Sequence, residues 1–357
     1  MLSIEDVSFD EKADQFCKAF LAGATDRRFV FGRNEYARSI AEQVEVSGFV
    51  DDFASETEYL GKPVIRTEEI PADAMVVSAV TLGRPITVEN KLAADNIDHL
   101  SYYLFYKYSG LDLEPVTFWK NFPHDFEIHR KQYEWIYSLL ADEESKRIFG
   151  CLVNFRLSGD LAYMDGFTDR QREQYFEDFL GLKTEGEVFL DVGGFDGFTS
   201  LEFIKRCPNY EAVYLFEPND RNMKVAQPRL AGYENIHFVP KGLADKAGVV
   251  RFSIGGSASV ISDDGEAEIG IEALDNMKIP RATFIKMDIE GAESGAIEGA
   301  RNTIAQQHPR LAICVYHKAD DFWRIPEQVL SIRSDYKVYL RHYTEGVTET
   351  VMFFVPS

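Results

Sequence analysis

Two stretches of this 357-residue chain concentrate side chains that could seat a nucleoside-like ligand and handle a proton. The first is Asp191-Val192-Gly193-Gly194-Phe195-Asp196-Gly197, followed by Phe198-Thr199-Ser200. Glycines at such a turn let backbone approach a ligand in conformations closed to residues with a Cβ, and a following helix N-terminus offers amide donors. Glu217 lies 20 residues beyond Gly197, where an acid at a strand end can accept hydrogen bonds from ribose hydroxyls. Gly193, Gly194 and Gly197 do not reproduce G-x-G-x-x-G, because Phe195 stands where a second spaced glycine would. The spacing therefore predicts no pyrophosphate cradle and favours an adenosyl ligand without phosphates over NAD. The second stretch, Ile285-Lys286-Met287-Asp288-Ile289-Glu290-Gly291-Ala292-Glu293, puts three carboxylates at a strand's carboxyl end. The dipole of a following helix accounts for Glu293, which leaves Asp288 and Glu290 as candidates for chemistry. His317, in Tyr316-His317-Lys318, closes another strand, and an unperturbed imidazole near pH ~6.5 suits proton acceptance.

Such residues need strands and helices to bring them to one edge. Val188–Asp191, 212–217, 236–239, 283–288 and 311–316 read as buried strands, and helical spacing covers 199–206, stopped before Pro208, and 219–230. Ile297, Ala300 and Ile304 fall on one helical face before Pro309, while 249–254 and 268–271 read as inserted strand pieces. The chain closes with 336–340 and 351–355, an antiparallel hairpin turning around Glu345-Gly346. Residues 181–357 thus form a parallel α/β sheet ending in a hairpin. Ahead of it, Arg28–Gly32, a helix from Asn34 to Val46, and strands at 46–50, 61–65 and 74–80 mark residues 1–90 as a smaller Rossmann-like unit. Residues 91–180 are dense in Tyr, Phe and Trp without strand alternation, and read as a helical connector whose aromatics are packing core.

Thirty-eight Lys and Arg against 59 Asp and Glu give a formal charge of -21, which repels phosphate backbones and anionic headgroups. Nucleic acid is not expected as a partner. The longest apolar stretch, around 74–82, falls short of the ~18 residues of a spanning helix, and the acidic start Glu5-Asp6 is unlike a signal peptide, so no membrane insertion is expected. Cys17, Cys151, Cys207 and Cys314 form no metal or redox pairing, consistent with a cytoplasmic location. Oligomeric state has no signature in the sequence.

Lys286-Met287-Asp288-Ile289-Glu290-Gly291-Ala292-Glu293 resembles the I-K-x-D-x-E-G-x-E signature of FkbM-type methyltransferases. Asp191–Gly197 resembles their first cofactor motif, Phe216-Glu217-Pro218 their F-E-P, and Gln174-Tyr175-Phe176 a further typical segment, so the likeness spans about residues 170–357. It implies a class I fold dependent on S-adenosylmethionine, and methyl transfer to a hydroxyl of a sugar, glycan or nucleotide-linked precursor. Carried over by position, Asp191, Gly193 and Gly197, with Gly194 beside them, would hold the methionine part, Glu217 the ribose, and Asp245 would lie near the adenine. Phe195 would pack on the ligand or cap the turn, and Asp288 would border the cofactor. His317 would take the hydroxyl proton; alternatively Asp288 and Glu290 would orient and acidify the hydroxyl through a water or a divalent cation such as Mg²⁺. Two rival readings are a catalytically silent scaffold of glycan assembly and a nucleotide-dependent oxidoreductase using the N-terminal unit, where Gly32 stands without partner glycines.

Overall fold

The computed structural model describes residues 2–5, 9–253, 260–261 and 267–357. The chain begins with α1 (Glu11–Ala22), β1 (Arg28–Phe31), α2 (Glu35–Gln43), β2 (Gly48–Val50), β3 (Glu58–Tyr59), β4 (Lys62–Ile65), β5 (Met75–Ser78), α3 (Pro85–Ala94) and β6 (Asp98–Ser101). These strands make one sheet in the order β3-β4-β2-β1-β5-β6, in which only β3 and β4 pair antiparallel. α3 spans residue 90 and β6 lies beyond it, so the first sheet runs on to Ser101. Three helices follow: α4 (Tyr102–Tyr108), α5 (Phe122–Leu139) and α6 (Glu143–Ser158). Tyr102, Tyr103, Phe105, Phe122, Phe149 and Phe155 are fully enclosed between them and the sheets, which is the core-packing role their helical spacing predicts.

The second half holds β7 (Val188–Val192), α7 (Phe198–Arg206), β8 (Ala212–Phe216), α8 (Asp220–Leu230), β9 (Ile236–Val239), β10 (Gly242–Leu243), β11 (Gly248–Ser253), β12 (Val260–Ile261) and β13 (Ala267–Glu272). It continues with β14 (Phe284–Met287), α9 (Glu293–Gly299), α10 (Arg301–Gln307), β15 (Arg310–Cys314), α11 (Asp321–Ile332), β16 (Tyr336–His342) and β17 (Thr350–Pro356). The main sheet has the order β16-β17-β15-β14-β7-β8-β9. It is parallel except for β17, which runs antiparallel to both β15 and β16. This is a Rossmann-like sheet with the closing antiparallel hairpin that the sequence predicts. β7 and β14 are buried at every position, as central parallel strands covered on both faces must be. The inserted pieces form a separate small sheet in the order β10-β13-β11-β12, and Ile254, expected at the end of β11, lies outside the described residues.

One element departs from the spacing-based reading. The helix expected through Ile297, Ala300 and Ile304 divides into α9 and α10 at Ala300, where the Ala244 carbonyl approaches so closely that a Cβ on Gly299 would overlap it. α11 carries Pro326 in its interior, where a missing N–H argues against a helix, yet its buried face of Phe322, Trp323, Ile325 and Val329 holds it in place. A single apolar core runs from Val30 and Val77 of the first sheet through Phe149 and Phe155 to Leu190, Ile313 and Met352 of the second. The two sheets therefore share packing instead of standing apart on a linker. Among the described residues no helix is long and apolar enough to cross a membrane.

Candidate active site

The carboxyl ends of β7, β8, β14 and β15 sit side by side, which gathers most of the candidate residues at one edge. Gly193 takes a left-handed φ of 79°, and a Cβ there would overlap the Asp288 carbonyl oxygen, so the turn after β7 is pinned against the end of β14. Gly193 and Gly194 both donate their amides to the Phe216 carbonyl, at 3.0 and 2.9 Å. The Phe195 amide donates to Glu217 Oε2 (3.0 Å), and that of Phe198 to Asp196 Oδ1 (3.0 Å). The amides of Gly193, Gly194, Phe195, Gly197 and Phe198 are satisfied within the chain and are not free donors for a pyrophosphate. The Phe195 ring is exposed beside it.

Glu217, almost fully buried, also accepts from the Asn219 amide (2.7 Å). Burial raises its carboxyl above the ordinary value despite these donors. Asn222 also hydrogen-bonds this carboxylate, and three donors leave one of its four lone pairs for a further hydroxyl. Asp191 lies wholly beneath the loop, where Oδ2 accepts from the Ser200 hydroxyl (2.7 Å) and Oδ1 stands 3.3 Å from Lys286 Nζ. It has no surface facing a ligand and acts on the loop only through those two partners. Buried Lys286 donates in turn to the Gly193 carbonyl (2.6 Å), fastening β14 to the turn. Asp245 is exposed on the turn after β10, its backbone beside Gly295 of α9, and contributes no side-chain contact to this cluster.

Around His317 the acids are close. Its side chain is 1% exposed, with Nδ1 3.0 Å from Glu293 Oε1, and Nε2 3.4 Å from Asp288 Oδ1 and 3.6 Å from Glu290 Oε2. None of these contacts is aligned along a ring N–H, so attraction between charges carries them. Burial pulls the imidazole down, but Glu293, Asp288 and Glu290 overcome it and hold the pKa at about 10. Asp288 accepts from the Tyr175 hydroxyl (2.8 Å); burial opposes its ionisation, yet Lys286 and His317 keep it below the usual carboxylate range. Glu290 is pushed up to about 7 by burial, against the pull of His317.

Asp288, Glu293 and His317 each present a donor atom within 4.8 Å of the others, a spacing that a divalent cation could span. The ring, however, turns one nitrogen to Glu293 and the other to Asp288, so it separates the two carboxylates instead of aiming with them at one point. The three carboxylates around the ring favour its protonated form.

Several residues at this edge carry no weight in the sequence reading. Glu293, there assigned to the helix dipole, is fully buried, accepts from the Ile289 amide (2.9 Å) and contacts His317. Glu349, just before β17, accepts from Gln174 Nε2 (2.5 Å), lies 3.5 Å from the Tyr316 hydroxyl, and is pushed up to about 7 by burial and Asp288. Phe118 from the connector packs edge-on against His317, ring centroids 5.2 Å apart. For Tyr175 and Gln174 the signal was the Q-Y-F segment, and for Lys286 the I-K of the second stretch; Glu349 and Phe118 had none.

Residues 191–343 match the family model described as "Methyltransferase FkbM domain". Over 97% of its length the chain is similar to the crystal structure of methyltransferase FkbM from Methylobacillus flagellatus KT, covering 93% of that chain at 23% identity with a TM-score of 0.78. A likeness at that identity shows a shared fold. A putative methyltransferase from Streptococcus mutans in complex with SAH matches at 14% identity over 50% of this chain and 93% of that one, TM-score 0.32. An rRNA methylase from Streptococcus thermophilus matches at 15% identity over 50% and 92%, TM-score 0.34. No curated protein matches the chain.

Proposed function

We propose, from the match of residues 191–343 to the methyltransferase FkbM domain model, that this chain is an S-adenosylmethionine-dependent O-methyltransferase of the cytoplasm, acting on a hydroxyl of a sugar, glycan or nucleotide-linked precursor. The observation that carries the reading is the convergence, at one sheet edge, of the glycine-pinned turn at 193–197, the buried acid Glu217 and the Asp288, Glu290 and His317 cluster. The residues fit the cofactor. The turn brings backbone close without a phosphate nest, and Glu217 is placed for a ribose hydroxyl. Asp288 and Glu290 present carboxylates at this edge, which suits a cationic sulfonium. S-Adenosylmethionine supplies an electrophilic methyl group on that sulfonium.

The chain's part is to bind, align and deprotonate. Gly193, Gly194, Phe195 and Gly197 shape the cofactor side, with Asp191 and Lys286 fixing the turn from below. The proton assignment departs from the sequence expectation. Glu293, Asp288 and Glu290 around His317 favour its protonated ring, which suits it to holding a proton more than to accepting one. Glu290, whose side chain is 34% exposed and whose carboxyl burial pushes up to about 7, accepts the hydroxyl proton. The His317 imidazolium, held by Glu293, stabilises the developing alkoxide. Turnover with and without EDTA decides between His317 and a divalent cation held by Asp288 and Glu293 as the source of that positive charge.

Calorimetric titration with S-adenosylmethionine, S-adenosylhomocysteine and NAD tests the cofactor. Binding of the first two, lost in Glu217→Ala, supports the reading; binding of NAD alone returns the oxidoreductase reading. A chain that binds S-adenosylmethionine but transfers no labelled methyl group to sugars, sugar nucleotides or lipid-linked saccharides would be the silent scaffold.

A further inference from the structure

In an open α/β sheet, ligands bind at the carboxyl ends of the strands where strand order reverses. In the N-terminal sheet that place lies between β1 and β5, and the chain fills it with its own residues. On one side, Asn34 Oδ1 accepts from the Ala37 amide at the start of α2 (2.9 Å), and Nδ2 donates to the Ala79 carbonyl (2.8 Å). On the other, Glu345 arrives from the loop between β16 and β17. Its Oε2 accepts from the Thr87 amide (2.7 Å) and its Oε1 from the Thr87 hydroxyl (2.6 Å), in the first turn of α3. Gly346 lies so close to the 81–82 backbone that a Cβ would overlap the Thr81 carbonyl, and the Thr348 hydroxyl donates to the Leu82 carbonyl (3.3 Å). A helix N-terminus attracts an anion, and here Glu345 is that anion.

The same loop reaches the active site. Residues Tyr343 to Thr348 are all buried, although hairpin turns ordinarily face water. Buried Arg156 donates to the Val347 carbonyl (2.8 Å) from beneath. The next residue, Glu349, takes a left-handed φ of 63° and delivers its carboxylate to Gln174 and Tyr316 beside Asp288. We infer that Glu345 is a positioning residue: its grip on α3 holds the loop so that Glu349 stands at the edge of the methyltransferase pocket, and the N-terminal unit serves as this clamp instead of as a second nucleotide site. The inference rests on the proposed function of that pocket and adds a role for the N-terminal sheet.

The groups facing Glu349 are Asp288 and Lys286 from the β14 end, Cys314, Tyr316 and His317 from the β15 end, and Gln174 and Tyr175 from the segment before β7. Burial and Asp288 together raise the Glu349 carboxyl to about 7, outweighing Gln174, His317 and Lys286. A released loop would return the side chain toward water and its ordinary value.

The test is a double-mutant cycle of Glu345→Gln and Glu349→Gln in the full chain. It is read by urea unfolding near pH 5 and near pH 8, and by hydrogen exchange of the 343–349 amides. Moving a carboxyl from 4.5 to about 7 lowers the folding equilibrium constant by roughly 300-fold at most as the group ionises. Glu345→Gln is expected to remove most of that fall and to speed loop exchange by roughly tenfold or more. In the Glu349→Gln background it should have no pH-dependent effect. Wild-type exchange and pH dependence in Glu345→Gln, or strict additivity of the two substitutions at both pH values, would overturn the inference and leave Glu345 as a plain helix cap. Should Glu345→Gln not fold, Thr87→Val, which removes one of the two donors, reports on the same contacts. Calorimetry with S-adenosylhomocysteine on the wild type is scored separately: its failure sinks the pocket reading, while the cycle still decides whether the clamp exists.

Discussion

Replacing His317 with Gln tests whether the site holds an imidazolium or a neutral base. The pKa of about 10, against an ordinary 6.5, is a rise of about 3.5 units, or at most about 5 kcal/mol of preference for the protonated ring in the fold. A raised pKa means that the folded protein binds the proton more tightly than the unfolded chain. The stabilisation is therefore complete below about pH 6.5 and is lost as pH rises toward about 10. His317→Gln should cost the protein stability near pH 7, by up to that ~5 kcal/mol, because Glu293 and Asp288 lose the charge between them. The difference from wild type should shrink steadily at higher pH. Urea unfolding at several pH values measures it, and the ring's C2 proton, followed by NMR and assigned by its absence in the variant, titrates directly. An imidazole that titrates near 6.5, together with a variant as stable as wild type at neutral pH, would refute the reasoning and restore His317 as the proton acceptor.

Three further outcomes are expected. Gly193→Ala should abolish S-adenosylhomocysteine binding and destabilise by about 3 kcal/mol, since the added Cβ meets the Asp288 carbonyl at a left-handed φ; calorimetry and unfolding check both. Lys286→Met should destabilise by about 3–5 kcal/mol near pH 7, leaving Asp191 charged and enclosed, and part of the loss should return in Lys286→Met/Asp191→Asn, as denaturation of the single and double variants will show. In Glu290→Gln turnover should fall by roughly 100-fold or more and the acid limb near pH 7 should vanish from the rate profile, with cofactor affinity retained.

Much of this was legible because parallel strands write their burial into consecutive residues. Val188-Phe189-Leu190 and Leu311-Ala312-Ile313 announce central strands, and the residues that end them lie at the ligand edge by topology alone. Thus Gly193, Glu217, Asp288, Glu290 and His317 could be gathered without coordinates. Orientation could not. Asp191 occupies the expected strand end, yet the inward alternation of β7 turns it beneath the loop, toward Lys286 and Ser200. Glu293 satisfies a helix dipole as readily as it pairs with His317, and the sequence holds nothing to separate the two. Glu349 and Phe118 reach the site from a hairpin loop and a connector more than thirty and nearly two hundred positions from His317, distances that no local pattern spans.

Backbone strain is present at this edge too, as it is at Leu60, Asn96, Asn121, Asn235 and His308 elsewhere in the fold. Phe118, Tyr175, Phe195, Glu290 and Glu349 all take left-handed φ values, from 46° to 73°, although none is glycine. Each such residue costs about 1–2 kcal/mol and persists only where surrounding contacts over-determine it. Those contacts are visible: Phe195 is held by Glu217, Tyr175 by its bond to Asp288, and Glu349 by Gln174 and by the loop that Glu345 anchors. Relaxing any one of these residues to an ordinary φ would swing its side chain away from the shared edge. At these five positions the strain is offset by the contacts that aim the side chains, and the buried core joining the two sheets is rigid enough to hold it.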